Sequence, residues 1–114
     1  DGFLYLTDRK KDMIISGGEN ISSSEVERVI YEMPEVREVA VIGLPDERWG
    51  EKVVAIAVLA DGATLDMPAL TDFCRARLAG CKLPKQLIIR DSLPRNPSGK
   101  VLKRVLRAEL EATV

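Results

Sequence analysis

The chain has 114 residues, 46% of them hydrophobic and 31% charged, with a net charge of −1, no histidine and two cysteines. That length fits one small domain with a single core, and no run approaches the ~20 consecutive apolar residues of a membrane-spanning helix. The missing imidazole excludes histidine general-base catalysis and a histidine-containing zinc site, and no other metal site is read from the residues.

In chain order, Phe3–Thr7 and Met13–Ile15 read as two short strands joined by the charged run Asp8–Asp12, a polar hairpin turn on its own terms. A chain that opens on Asp1 and enters a strand almost at once reads as a piece of a longer protein. Ser16-Gly17-Gly18-Glu19-Asn20 then breaks the pattern, because adjacent glycines open backbone conformations closed to other residues. It lacks the spacing of a dinucleotide-binding fingerprint and taken alone is a plain turn.

Ser22 with Glu25 has the form of a capping box. Val26, Val29, Ile30 and Met33 follow at i, i+3, i+4 and i+7, which predicts an amphipathic helix ended by Pro34. Val36–Leu44 and Val53–Leu59 are rich in Val and Ile on both faces and read as buried strands. The six residues Pro45–Gly50 join them as an antiparallel hairpin. Trp49, the only tryptophan, sits in that connection and reads as a half-buried anchor for it or as part of a binding surface.

Asp61-Gly62 turns the chain. Asp66 caps a second helix, with Pro68 in its first turn and Leu70, Phe73, Cys74 and Leu78 on one face, ended by Gly80. Leu87–Ile89 is a further strand, and Leu102, Val105, Leu106 and Leu110 mark a last helix. Cys74 lies on an apolar helix face and Cys81 beyond it. One bridge at most is possible, and with no secretory leader in view, reduced thiols in a cytoplasmic setting are expected. The sum is an α+β domain: a three-stranded central sheet covered by helices, with an N-terminal two-stranded hairpin at its side.

Residues 1–74 hold 7 Lys/Arg against 15 Asp/Glu, a net of −8, and residues 75–114 hold 10 against 3, a net of +7. A basic half points to a polyanionic partner or to a solvated helix face. Few aromatics interleave with these cations, which argues against nucleic acid.

The run Pro94-Arg95-Asn96-Pro97-Ser98-Gly99-Lys100 carries the most chemistry. Pro97, Ser98 and Gly99 make an ordered turn that presents one ammonium, a point charge with three donors suited to an oxyanion or phosphate. It is not a Walker A loop, because Pro94 stands where that motif needs its first glycine and Val101 where it needs Ser or Thr.

Leu93–Arg104, LPRNPSGKVLKR, resembles the lysine motif near the C-terminus of the adenylate-forming enzymes. Asp8–Asn20, DRKKDMIISGGEN, resembles the same superfamily's hinge and the glycine-rich segment after it. The two motifs come in the family's order and span nearly the whole chain. DMIISGGENI and DERWGEKV are more similar to the acyl-CoA ligases, of medium-chain, long-chain or aryl acids, than to peptide-synthetase adenylation domains, which stay the alternative. A non-catalytic module binding nucleotide or protein is the second alternative.

The resemblance implies that residues 1–114 are the mobile C-terminal lid of an acyl-CoA ligase, with the hinge hairpin within 1–15 and a large N-terminal adenylation domain as partner. Lys100 matches the lysine that bridges the substrate carboxylate and the α-phosphate of ATP while an acyl-adenylate forms, and Pro94, Ser98 and Gly99 support it. Arg9 matches the arginine on the nucleotide's ribose. Lys11 matches the hinge residue, where lysine or aspartate is usual, while Asp8 replaces the family's glycine. Gly17, Gly18 and Glu19 match the segment lining the pantetheine tunnel of CoA.

Trp49, Lys82 and Lys85 match contacts to the CoA nucleotide. Cys81 and Leu83 stand where some relatives have an aromatic and an arginine. ATP, Mg2+ and CoA are the implied cofactors, bound together with the N-terminal domain. A lysine acetyltransferase acting on Lys100 is an implied partner, and negligible catalysis is expected from the 114 residues alone.

Overall fold

Alternation in two long strands sets the architecture of the computed structural model, which describes residues 13–112. In β3 (Val36–Asp46) and β4 (Gly50–Leu59) successive side chains leave opposite faces of the sheet, and both faces are covered. Val39, Val41, Val53 and Ala55 face one core, and Ala40, Ile42, Leu44, Val54, Ile56 and Val58 face the other.

The first core is closed by α1 (Ser23–Ile30) and α2 (Met67–Arg75) through Val26, Ile30, Leu70 and Cys74. The second is closed by Leu93 and by Leu106 of α3 (Lys103–Ala112). Helices on both faces explain why these strands read as nearly continuous apolar runs.

The remaining strands are β1 (Met13–Ser16), β2 (Glu19–Ser22) and β5 (Gln86–Ile89), and the five form one sheet in the order β2-β1-β4-β3, with β5 also on β4. β3 and β4 pair antiparallel from Asp46↔Gly50 back to Val36↔Leu59, with an irregularity between Val36 and Glu38. β5 runs parallel to β4, Val54↔Gln86 to Ala57↔Ile89. A parallel neighbour needs a crossover, and α2 with the short 3-10 turn Gly80–Lys82 supplies it. The α+β class and the three principal strands are as the sequence predicts, with a hairpin attached to them.

Three local expectations change, and a fourth lies outside the described residues. Among the described residues β1 pairs with β2, Met13↔Ser22 to Ser16↔Glu19, so Gly17-Gly18 is a hairpin tip and not merely a break. The strand expected at Phe3–Thr7, together with Asp8, Arg9 and Lys11, lies outside the described residues. Ser22 is the N-cap of α1 but makes no side-chain cap bond, and the Glu25 carboxylate binds Lys82, so no capping box closes. The second helix stops at Arg75, short of Gly80. Its cap is as expected: Asp66 accepts from the Ala69 N–H at 3.0 Å.

Candidate functional site

Lys100 sits at the end of a turn whose ends are held together. Arg95 and Val101 form an antiparallel bridge, flanked by Leu102 N–H donating to the Pro94 carbonyl at 2.8 Å and Asn96 N–H to the Lys100 carbonyl at 3.0 Å. Gly99, at φ +90°, lets the chain reverse inside that frame. Arg95 donates to the Gly99 carbonyl at 2.5 Å and to the Glu38 carboxylate on β3, which ties the turn to the sheet.

Lys100 itself is exposed. Among the described residues its ammonium has no hydrogen bond and no ion pair, so nothing in the fold neutralises it. It overlooks a groove of about 460 Å³ between α1, β3 and α3, with Tyr31 and Arg104 on its walls. Lys103, three residues on, lies inward. Its ammonium meets Glu27 at 2.7 Å and Ser23 Oγ at 3.0 Å, and the same Glu27 oxygen accepts the Val41 N–H at 2.8 Å. Two neighbouring lysines thus have opposite roles, one anchoring α3 to α1 and one held outward.

The second group gathers around Trp49. Gly17 N–H donates to the Trp49 carbonyl at 2.8 Å, and a Cβ at Gly17 would stand 3.2 Å from Cε3 of the indole. Gly17 and Gly18 have φ of +60° and +83°, so the tip combines left-handed torsions with a close approach to the ring. Lys85 Nζ lies 5.4 Å and Arg48 Cζ 5.2 Å from the indole centroid, two cations on one ring that keeps 38% of its surface exposed. Gly17, Gly18, Trp49 and Lys85 are therefore brought together, and Glu19, also exposed, follows at the start of β2.

Lys82 stands differently. Both oxygens of Glu25 hold its ammonium, at 2.9 and 3.1 Å, so it belongs to an ion pair between the 3-10 turn and α1. Leu83 packs against the first core.

Several residues of consequence escape a reading of the sequence. Glu51 accepts the Ile15 N–H at 2.9 Å, which locks β1 to β4. Its carboxylate lies where only Gly43 leaves space, since a Cβ there would meet Glu51 Cδ at 3.0 Å. Nothing in a linear pattern links Gly43 to Glu51. Arg48 has no separate signal either, but Asn96 does: an asparagine two residues before a serine in a proline-rich turn is a common backbone-binding element.

The Lys100 groove opens beside Val39 and Ala40 of β3, whereas Trp49 and Arg48 stand in the turn that joins β3 to β4, with β1 and Lys85, whose N–H donates to the Val53 carbonyl at 2.8 Å, on the edge of β4 away from β3. One presents the unshielded Lys100 ammonium on a fixed turn. The other presents bare backbone beside an aromatic face and two cations.

Residues 25–100 match the family model described as the AMP-binding enzyme C-terminal domain. The chain is 54% identical over its whole length to a long-chain-fatty-acid–CoA ligase, FadD13, of Mycobacterium tuberculosis. It is 51% identical over 107 residues, 94% of the chain, to a feruloyl-CoA synthase of an Amycolatopsis species. Each time it spans 22% of the relative's length. Among solved structures it superposes on ATP-bound MatB from Rhodopseudomonas palustris with a TM-score of 0.86 and 43% identity, covering 90% of this chain and 20% of that one.

Proposed function

Because the chain belongs to the AMP-binding enzyme C-terminal domain family, we propose that it works as the C-terminal domain of an AMP-forming acyl-CoA ligase, beside a large N-terminal adenylation domain. The observation that carries this reading is the exposed Lys100 ammonium, unneutralised within the described fold and held on a fixed turn. In the first half-reaction a carboxylate oxygen of the acid bonds to the α-phosphorus of ATP and pyrophosphate leaves. Lys100 would hold the two anions together and offset charge gathering on the phosphorus, where a preorganised cation is most effective. Arg9 would contact the ribose and Lys11 would serve as the hinge.

In the second half-reaction the domain would turn to offer its other side. CoA supplies the thiol, whose sulfur bonds to the acyl carbon as the bond to the phosphate breaks and AMP leaves. Gly17 and Gly18, with no side chains at the hairpin tip, would let a thin pantetheine arm pass along the backbone, with Glu19 at the domain contact. Trp49, Lys85 and Arg48 suit an adenine ring and phosphates, and Lys82 would have to leave Glu25 to join them. Magnesium in this reading accompanies ATP on the partner domain. Placement of the two groups at different parts of the sheet, one beside Val39 and Ala40 and one at the β3–β4 turn, supports such alternation.

The acid belongs to the other domain, since relatives of similar identity carry names as unlike as long-chain fatty acid and feruloyl ligases. The test is made in the full-length ligase that carries this chain. Lys100→Ala should lower carboxylate-dependent pyrophosphate exchange by a factor of ~10²–10³ or more and largely spare thioester formation from supplied acyl-adenylate. Equal loss of both would overturn the assignment. Lysine acetylation of the same exposed ammonium, which removes its charge, should have the same selective effect, and unchanged exchange after verified acetylation would count against it.

A further inference from the structure

The structure assigns to Asn96 the positioning of the Lys100 ammonium. The side chain lies half-buried beneath the turn, and its Oδ1 atom accepts three hydrogen bonds: from Ser98 N–H at 3.1 Å, from Ser98 Oγ at 2.7 Å and from Lys100 N–H at 3.0 Å. The Asn96 backbone closes the same ring, donating to the Lys100 carbonyl at 3.0 Å and accepting from Gly99 N–H at 2.9 Å. Both peptide groups of Lys100 are thus tied to one residue, whose side-chain oxygen gathers the donors of Ser98 and Lys100.

A long flexible lysine aims well only if its Cα is fixed, since the stem itself has four rotatable bonds. Misplacement of a reacting group by about 1 Å costs on the order of a hundredfold in rate. Asn96 touches no reacting atom in this account, so it is a positioning residue. Its contribution is one of geometry, expressed while the lysine is in use and silent when the domain offers its other side. Only the acceptor oxygen is engaged in these contacts, so the amide NH2 is dispensable. The inference rests on the reading of Lys100 given above.

The experiment compares Asn96→Ala, Asn96→Asp and Lys100→Ala in the full-length ligase. Asn96→Ala should lower the maximal rate of carboxylate-dependent pyrophosphate exchange about 10- to 100-fold, with the KM for ATP within about twofold and thioester formation from supplied acyl-adenylate unchanged. Asn96→Asp keeps the acceptor and should stay within about fivefold of the unsubstituted enzyme. Hydrogen exchange across residues 95–102 should quicken in the alanine variant and not in the aspartate one.

Full exchange activity in Asn96→Ala would overturn the inference, as would an aspartate variant no better than alanine. Equal loss of both half-reactions would indicate general damage to the fold and overturn it too. Lys100→Ala separates the two levels. Normal exchange in that variant sinks the role of Lys100 itself, whereas a dead Lys100→Ala beside a normal Asn96→Ala sinks only the role of Asn96.

Discussion

At Gly17 two constraints coincide, a left-handed backbone at φ +60° and an indole edge 3.2 Å from where a Cβ would stand. Gly18 carries only the first, at φ +83° with nothing within 4 Å of its missing Cβ. Gly17→Ala should therefore cost about 1–3 kcal/mol of stability, and more than Gly18→Ala, as read from the shift in denaturant midpoint. In the full ligase the Gly17 change should slow thioester formation more than pyrophosphate exchange. Cys74 gives a different kind of prediction. It is fully buried in the first core, and burial pushes its thiol pKa up, opposed in part by the positive charge of Arg77. The folded thiol therefore keeps its proton to higher pH than the unfolded one, whose usual value is about 8.5. The stability this contributes is complete below that value and is lost as pH rises towards the folded pKa. Unfolding free energy between about pH 8 and 10 should fall more steeply in the unsubstituted domain than in Cys74→Ala. Alkylation mapped to Cys74 should proceed in the native protein only as fast as the core opens.

Among the elements, the β1–β2 hairpin depends on a pairing between strands that are not adjacent in sequence. Gly43 on β3 leaves the space in which Glu51 on β4 turns its carboxylate to the Ile15 N–H of β1. Gly43→Ala should press on Glu51 and on Ile14, whose Cγ2 would also lie 3.0 Å from the new methyl, and loosen the hairpin as a unit. Faster amide exchange at Ile15 and Gly17, with β5 unchanged, is the expected result. Glu51→Gln keeps an acceptor and should preserve protection that Glu51→Ala loses. This dependence explains what the sequence could and could not disclose. Val and Ile on both faces announced β3 and β4, and Asp66 with Pro68 announced α2, because those signals are local. β2 was hidden because Glu-Asn-Ile-Ser holds one apolar residue, and its strand character comes from pairing with β1. The capping box did not close at Glu25, whose carboxylate binds a cation 57 positions away, Lys82. Lys100 was legible from its turn, while Glu51 and the Lys103–Glu27 pair needed the fold.

For the whole molecule, the proposed function puts ATP and the acid on a partner domain, so neither group would act alone. The isolated chain should show no pyrophosphate exchange above buffer, and a measurable rate would contradict the proposed division of labour. Removing the anchor of the C-terminal helix tests how the two layers hold together. Leu106→Ala should cost about 2–5 kcal/mol, because the side chain is fully buried in the second core, and the loss should appear as a lowered thermal midpoint. That helix has a further duty, since its Lys103 holds Glu27, the carboxylate that covers part of the β3 edge. β3 is the long outermost strand, and along its open side the chain places an intramolecular guard: a carboxylate from α1 on the Val41 amide, and Glu38 held by Arg95. A protein that lost this cover would present a bare ribbon to its neighbours. Aggregation on heating should then begin with the departure of the C-terminal helix, ahead of global melting, and variants that weaken Lys103–Glu27 should precipitate at lower temperature even where their catalysis is intact.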